Sequence, residues 1–276
     1  MALEVDLEKR SPSSHIRELR DSSTSDNEGP VIADVPEFDA PDGGVVAWSQ
    51  VFVSLLVNML SFGYPSAFGV YQLYYRDNLG LPEAQISWIG SVQTFLAFSM
   101  CTISGRLADA GYIRSTVVGG SSLVVLGTFT TSLATEYWQI FLSQGICTGL
   151  GLGVMFMPPL TVVSSYFRSK RSYALAVTAM GTGTGSVIFP AVVQYLIPQV
   201  GFPWAVRYAG FVALFIAAVS VTLIRPRLAP RKAGPLIEWG AFKEVPYLLY
   251  TLGSFLFFWA LYFGLFFVRL APFSVK

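Results

Sequence analysis

The sequence predicts an all-α membrane protein with seven spanning helices, and three observations support this. The chain is 53% hydrophobic and 13% charged, whereas a soluble domain is about 25% charged. Eleven of its 17 acidic residues lie at or before Asp42, which leaves the remainder almost without carboxylates. A bilayer-spanning helix needs about 20 mostly apolar residues, and seven segments meet this requirement: Val45–Tyr71, Ile86–Ser104, Thr116–Ala134, Trp138–Tyr166, Tyr173–Ile197, Ala205–Ile224 and Tyr247–Val268. A soluble protein of buried helices is disfavoured, because no amphipathic sequence remains to cover such a core.

These segments divide the chain into four parts. Residues 1–41 are predicted to form a disordered tail, because they are polar and have too little apolar surface to offset the entropy of ordering. No apolar stretch follows Lys9 and Arg10, so the tail does not have the pattern of a signal peptide. Residues 42–224 hold the first six segments as one bundle, residues 225–246 form a linker, and residues 247–276 contain the seventh segment and the C-terminus.

Lysine and arginine residues predict how the chain is oriented in the membrane. Cytoplasmic connections carry an excess of both residue types. With the tail in the cytoplasm, fourteen of them lie on the cytoplasmic side, and only Arg76 and Arg207 lie in the outer connections before the seventh segment. We therefore expect a cytoplasmic N-terminus and a cytoplasmic linker. The cations between the fourth and fifth segments then form a cytoplasmic clamp of Arg168, Lys170 and Arg171.

The chemistry-bearing residue types are too few and too scattered for an enzyme. The single histidine, His15, lies in the tail, and Cys101 and Cys147 fall inside apolar segments. No cluster of His, Cys, Asp or Glu occupies the spans, as a catalytic or metal site would require. We therefore expect no catalytic residues, no metal and no cofactor. The net charge of +1 gives no indication of nucleic-acid binding, and we expect none.

Glycines recur at helical spacing on the fourth and fifth segments. Gly145, Gly149 and Gly153 are four residues apart, and Gly181 and Gly185 repeat that spacing. In a bilayer, small residues let helix backbones approach closely, so we predict that these glycines are packing positions. The alternative, a dinucleotide-binding loop, needs a preceding strand and is excluded inside a membrane segment.

The first and fourth segments are interrupted by glycine and proline. The first contains SFGYPS at residues 61–66, and the fourth contains Pro158-Pro159. Paired interruptions of this kind indicate a transporter cavity built from inverted repeats. Polar residues of the first segment share one helical stripe, which faces either a cavity or a neighbouring helix. The predicted substrate path comprises Asn58, Ser61, Tyr64, Pro65, Ser66 and Gln72 on the first segment, with Gln144 on the fourth.

Three motifs, in order along the chain, resemble those of a known transporter family. Residues 105–114, GRLADAGYIR, resemble the signature loop between the second and third helices of the major facilitator superfamily. Residues 41–44, PDGG, followed by Trp48 resemble the opening of its monocarboxylate porter family. Tyr166-Phe167 with Lys170-Arg171, then Ala174, Gly181 and Gly185, resemble that family's second signature. The resemblance is greatest to the fungal branch and covers about residues 41 to 267.

The resemblance implies a fold, a function and a set of partners. The fold is the N-terminal six-helix bundle of a major facilitator fold plus a seventh helix. The function is secondary transport of a small organic solute by alternating access. The protein would lie in a lipid bilayer, and we expect the plasma membrane rather than the vacuole. A gating loop near the cytoplasm, with its carboxylate near a helix end and paired with neighbouring cations, would comprise Gly105, Arg106, Asp109, Gly111 and Arg114.

The sequence departs from this family in two respects. Proton-coupled carriers of animals place a lysine where this chain has Ser66, so lactate or pyruvate does not follow as the substrate. The family has twelve helices, and residues 268–276 break its pattern after the seventh. We therefore expect an incomplete chain: a truncated gene product, a splice variant or a misdrawn gene. The competing interpretation is a non-transporting truncated membrane protein that binds, regulates or has no function. The oligomeric state stays open.

Overall fold

The computed structural model describes residues 41–227, 240 and 243–267, with side chains up to residue 260. The predicted tail before residue 41, most of the predicted linker and the C-terminal residues 268–276 lie outside the described residues. Seven helices form the described part: α1 Val45–Leu79, α2 Glu83–Asp109, α3 Ile113–Thr131, α4 Tyr137–Tyr166, α5 Arg171–Val200, α6 Phe202–Leu223 and α7 Val245–Phe267. Each predicted segment overlaps one of them, which confirms the all-α prediction.

Five of the seven helices are long and apolar enough to cross a membrane, namely α1, α2, α4, α5 and α6. The described part of α7 that has side chains, Val245–Ala260, is a shorter apolar helix. α3 is less apolar because it carries seven serine and threonine residues. Its threonine hydroxyls donate to carbonyl oxygens of the preceding turn, as Thr128 does to Val124 at 2.8 Å. These bonds satisfy hydroxyl groups that would find no hydrogen-bond partner among lipid tails.

Short connections set neighbouring helices antiparallel. α1 ends at Gly80, which has φ of 62°, the left-handed conformation that only glycine adopts without strain. α5 and α6 are separated by Gly201 alone, with φ of 78°. α4 begins with a capping box, in which Glu136 and Gln139 each bond the other's backbone N–H. These ends satisfy backbone groups that a helix leaves unpaired.

α1 lies in the centre of the bundle and packs against α2, α4, α5 and α6. α4 also packs against α2 and α3, and α3 packs against α6. The buried side chains form two clusters. One, which includes Tyr64 and Phe189, lies in the halves of the helices next to the α1–α2, α3–α4 and α5–α6 connections. The other, which includes Ala47 and Phe167, joins the beginning of α1 to the ends of α2, α4 and α6.

Glycines on α4 lie against the backbone of α2. A Cβ added at Gly145 would lie 3.5 Å from the Ile89 carbonyl oxygen, which is ordinary contact. One added at Gly149 would lie 3.0 Å from the Gln93 Cα, and one at Gly153 would lie 2.7 Å from the Met100 Cβ, further along α2. Ordinary carbon–carbon contact is about 3.5–4.0 Å. Gly149 and Gly153 therefore let α4 approach α2 more closely than any larger residue would allow.

The glycines of α5 lie against α1 in the same way. A Cβ at Gly181 would lie 2.9 Å from the carbonyl carbon of Leu55, and one at Gly185 would lie 2.9 Å from the Cα of Gly63. Gly183, between them, has no neighbour within 4 Å of an added Cβ. The α1–α5 contact is thus formed by alternate glycines on one face of α5.

Candidate functional site

The first helix changes its geometry at the Gly/Pro interruption. α1 is α-helical over Val45–Asn58, widens to a π-turn over Met59–Gly63, tightens to a 3₁₀ turn over Tyr64–Ala67 and is α-helical again over Phe68–Leu79. Pro65 has no N–H to donate, so the regular hydrogen-bond ladder cannot run through it. Single π-turns inside helices occur frequently at functional sites. We therefore take this interruption as the centre of the candidate site.

Four of the predicted path residues lie inside the bundle. Asn58, Ser61, Tyr64 and Gln144 are all buried. The Asn58 Nδ2 donates to the carbonyl oxygen four residues earlier on its own helix, at 2.8 Å. The Gln144 Oε1 accepts a 2.6 Å hydrogen bond from the Tyr75 hydroxyl. The Ser61 and Tyr64 hydroxyls have no hydrogen-bond partner among the described residues. These four side chains lie inside the bundle and do not reach its exposed surface, and Gln144 bonds α4 to α1.

The other three path residues reach the surface of α1. Ser66 is exposed, and Pro65 and Gln72 are half-buried. The Ser66 Oγ lies 2.9 Å from the Ser186 Oγ on α5, within hydrogen-bond distance. It also lies 3.2 Å from the carbonyl oxygen of Phe62, one turn earlier. A pair of hydroxyls therefore sits on the surface beside the interruption.

Three aromatic rings, which the sequence analysis did not select, meet at the same interruption of α1. Phe62 of α1 packs edge-on against Phe156 of α4, with ring centroids 4.8 Å apart. Phe98 of α2 lies 5.9 Å from Phe62 and is 39% exposed. Phe258 of α7 lies 6.4 Å from Phe98, so the seventh helix passes on this side of the bundle. We name Phe62, Phe98 and Phe156, together with Ser66 and Ser186, the aromatic face.

The segment before α1 is bonded to the connection between α4 and α5. The Asp42 carboxylate accepts hydrogen bonds from the backbone N–H groups of Arg168 and Ser169, and the Asp42 N–H donates to the Tyr166 carbonyl oxygen at 3.1 Å. The Arg168 N–H, followed by donors of Ser169, lowers the pKa of Asp42 below its usual value of 3.8. Asp42 has φ of 48°, which is uncommon outside glycine but tolerated by aspartate.

Aromatic side chains support the same contact. Trp48 of α1 packs edge-on against Phe167, with centroids 5.4 Å apart, and lies 6.1 Å from Tyr173 at the start of α5. The predicted clamp residues Arg168, Lys170 and Arg171 are exposed around this contact. The clamp therefore surrounds a backbone region that Asp42 holds in place, a role that the sequence analysis did not assign to Asp42.

Gln50 joins α1 to the end of α6. Its Nε2 donates to the Leu223 carbonyl oxygen at 3.0 Å, and its Oε1 accepts from the Arg225 N–H at 2.9 Å. The Tyr166 hydroxyl donates to the carbonyl oxygen of Arg225 at 3.1 Å. The guanidinium of Arg227 lies 6.0 Å above the Tyr166 ring. These contacts fix the point at which the chain leaves α6 for the linker.

The predicted gating loop is a tight turn at the end of α2. Gly111 has φ of 89°, its N–H donates to the Ala108 carbonyl oxygen, and the following N–H donates to that of Leu107; this pattern is typical of a glycine-terminated helix. Asp109 is exposed, and it has no ion pair within the described part of the chain. Gly105 and Arg106 are half-buried on the last turns of α2, and Arg114 is exposed at the start of α3.

The described residues contain no group of three or more His, Cys, Asp or Glu side chains that could hold a metal ion. The arrangement offers instead an uncharged surface with two hydroxyls near the middle of α1. It also offers hydrogen-bonded connections at the cytoplasmic clamp. Such an arrangement can hold helices in register, and its hydroxyls can bond a polar group.

Comparison with known proteins identifies the family. Residues 51–275 match the sequence profile described as the Major Facilitator Superfamily. An "MFS-type transporter" of Gibberella zeae is 41% identical over 234 residues, which cover 85% of this chain and 53% of that relative. The "Aspyridones efflux protein apdF" of Emericella nidulans is 39% identical over 211 residues, which cover 75% of this chain and 43% of that protein. The chain thus spans about half the length of these fungal relatives.

A solved structure agrees on the fold. The crystal structure of a peptide transporter POT in complex with alafosfalin matches with a TM-score of 0.59 and 20% sequence identity. The match covers 80% of this chain and 48% of that transporter. At this identity the likeness concerns the fold alone. It shows that the described helices share a fold with about half of that chain.

Proposed function

Because the chain belongs to the Major Facilitator Superfamily, we propose that the protein is a secondary transporter that moves a small organic solute by alternating access. Transporters of this architecture bind their solute near the middle of the membrane, between structural repeats whose helices are interrupted. The chain is an integral, multi-pass membrane protein, in keeping with its family and its apolar helices.

The observation that carries the proposal is the aromatic face at the interruption of α1. Helices α1, α2, α4 and α5 all contribute to it, and Phe258 of α7 lies on the same side. Ser66 belongs to this face and is exposed. Pro65 and Gln72 continue the path along α1, whereas Asn58, Ser61, Tyr64 and Gln144 support it from inside the bundle.

The cytoplasmic side is proposed to control access. We place the N-terminus, the clamp and the linker in the cytoplasm, because Lys and Arg near helix ends resist translocation. Asp109 would pair with different groups in the two arrangements of the bundle. We also propose membership of the monocarboxylate porter family. In support, the Asp42 N–H of the PDGG motif donates to the Tyr166 carbonyl oxygen of the second motif that resembles that family. The relative from Emericella nidulans is named an efflux protein, which favours export through the plasma membrane.

Obstruction of the path tests the proposal. Ser66→Trp fills an exposed position of the aromatic face, and Ser122→Trp places the same side chain at an exposed position of α3. In cells that express the protein, the export of a panel of labelled organic solutes is measured for the wild type and for both variants. We expect at least one solute to be exported saturably, and we expect Ser66→Trp alone to abolish its export while both variants reach the membrane in equal amounts.

Two results would contradict the proposal. Export that is no faster than in cells without the protein, for every solute of the panel, would remove the transport function. If both tryptophan variants reduce export equally, the solute path does not run along the aromatic face. The membrane fraction of each variant is measured by immunoblot, so a failure to insert is distinguished from an obstructed path.

A further inference from the structure

We propose that the aromatic face binds a neutral aromatic solute, with its ring against Phe156 and a hydroxyl or carbonyl group bonded to Ser66 and Ser186. This inference rests on the proposed transport function and adds the chemical class of the solute. It follows from three properties of the described surface: its charge, its rings and its hydroxyl pair.

The first property is the absence of charge from the helices that form the face. No Asp, Glu, Lys, Arg or His lies on α1 before Arg76, on α2 between Glu83 and Arg106, on α4, or on α5 after Arg171. The helix α7, on the same side, has none either. A charged solute brought into a low-dielectric site needs a compensating charge or it pays a large desolvation penalty. The described surface supplies none, so it selects against ions.

The second property is the geometry of the rings. Phe62 and Phe156 meet edge-on at 84°, with centroids 4.8 Å apart, so one ring presents its edge and the other its face. Phe98, from a third helix, extends the patch and is 39% exposed. Aromatic pairs contribute beyond the area that they bury, because ring edges and ring faces carry opposite partial charges. An aromatic solute can use these partial charges, whereas a saturated one of equal size cannot.

The third property is the hydroxyl pair. The Ser66 and Ser186 Oγ atoms are 2.9 Å apart, and each hydroxyl offers one donor and two acceptor sites. The single O–H of Ser66 is shared between the Ser186 Oγ and the carbonyl oxygen of Phe62. The pair therefore keeps free acceptor sites and the Ser186 O–H for a hydroxyl or carbonyl group of a solute. Because Ser66 lies one helical turn after Phe62, such a group would sit at the edge of a bound ring. The site therefore favours rings that carry a neutral polar substituent.

A matched set of four ligands tests this class directly. The purified 276-residue chain in lipid nanodiscs is titrated with tritiated 1-naphthol, with empty nanodiscs as the background. Unlabelled competitors are 1-naphthoate, which is anionic, decahydro-1-naphthol, which is saturated, and naphthalene, which lacks the hydroxyl. We expect saturable binding of 1-naphthol and competition at least about 10-fold weaker for 1-naphthoate. For decahydro-1-naphthol and for naphthalene we expect competition about 3- to 10-fold weaker than for 1-naphthol.

Two variants locate the binding on the aromatic face. Phe156→Leu keeps an apolar side chain but removes the ring, and we expect it to weaken 1-naphthol about 3- to 10-fold. Phe215→Leu is the matched control, because Phe215 is 69% exposed on α6, outside the aromatic face, and should leave the affinity unchanged. Ser66→Ala should remove the difference between 1-naphthol and naphthalene. Circular dichroism of each variant checks that its helical content is retained.

The outcomes separate this inference from the transport function. Competition by 1-naphthoate that equals or exceeds that of 1-naphthol would overturn it on the wild-type protein alone. So would an absence of saturable 1-naphthol binding, or equal effects of Phe156→Leu and Phe215→Leu. Saturable binding with the expected preferences, but without export in cells, would support the aromatic solute class and reject transport. Export of a charged solute without 1-naphthol binding would do the reverse.

Discussion

Two glycines on α5, Gly181 and Gly183, allow the contribution of the α1–α5 contact to stability to be measured by making the same substitution at each position. Gly181→Ala places a Cβ 2.9 Å from the carbonyl carbon of Leu55, about 0.5 Å or more inside ordinary contact. Gly183→Ala places the same Cβ where no atom lies within 4 Å. The helix must shift to accept the first change, whereas the second requires no movement.

The expected magnitude follows from the difference between these variants. Alanine is favoured over glycine in a helix by about 1 kcal/mol at both positions, so this contribution cancels. The remaining difference is the cost of overpacking at Gly181, about 1–3 kcal/mol. For a domain of this size, about 1 kcal/mol changes the melting temperature by roughly 2–4 °C. Gly181→Ala should therefore unfold roughly 2–12 °C below Gly183→Ala.

Thermal unfolding of the purified variants in one detergent, followed by far-UV circular dichroism, measures this difference. Gly183→Ala should also unfold at or above the temperature of the wild type, which confirms that alanine itself is tolerated on α5. Equal melting temperatures for the two variants would refute the packing argument, because the close approach of α5 to α1 would then carry no stability.

Three further predictions concern the cytoplasmic side. The pKa of Asp42 is lowered in the folded protein, so the stability from its carboxylate is present above pH 3.8 and is lost as the pH falls through the folded-state pKa. Asp42→Asn should therefore lower the melting temperature at neutral pH. This difference from the wild type should vanish below the folded-state pKa of Asp42, and a difference that persists there would contradict the assignment. Asp109→Asn should slow export severalfold without loss of the protein from the membrane, and unchanged export kinetics would rule out a gating role. A cysteine at Ser169, compared with the unsubstituted chain, should react with an impermeant maleimide only after the cells are opened; labelling of intact cells would invert the proposed orientation.

The helices were predictable because their signal is strong and local. About 20 apolar residues in succession have few alternatives to a membrane span, and every predicted segment overlaps a helix of the structure. The tight ends at Gly80 and Gly201 agree with the breaks in hydropathy. α3 differs at its end, since it stops at Thr131 and not at Ala134.

The directions in which the polar side chains of α1 point could not be predicted from the sequence as the helices could. The predicted stripe assumed about 100° per residue along an uninterrupted helix. The π-turn at Met59–Gly63 and the 3₁₀ turn at Tyr64–Ala67 change that step twice. Along this altered helix, Asn58 and Ser61 of the predicted stripe are buried, whereas Pro65 and Gln72 of the same stripe are half-buried. A helical-wheel projection of the sequence contains no information about where such turns form.

The aromatic face was missed for a different reason. Phenylalanine is common on every surface of a membrane helix, because lipid tails accept it as readily as a protein interior does. Phe62, Phe98 and Phe156 are 36 and 58 residues apart along the chain, so only the packing of three helices brings their rings together. One local signal was available, since Phe62 and Phe156 each lie within three residues of a proline in an interrupted segment.

In the proposed transport cycle, the contacts around the clamp bear on which part of the molecule would move. Asp42 bonds the start of α1 to the α4–α5 connection, and Gln50 bonds α1 to the end of α6 through both of its amide atoms. Bending the bundle at this end would break several such bonds, each with a net contribution of about 1 kcal/mol. A rigid-body movement of the whole bundle breaks none of them. The geometry therefore favours movement of the six helices as one unit. Asp109, exposed at the end of α2 and outside this set of bonds, is then the carboxylate best placed to pair differently before and after the movement.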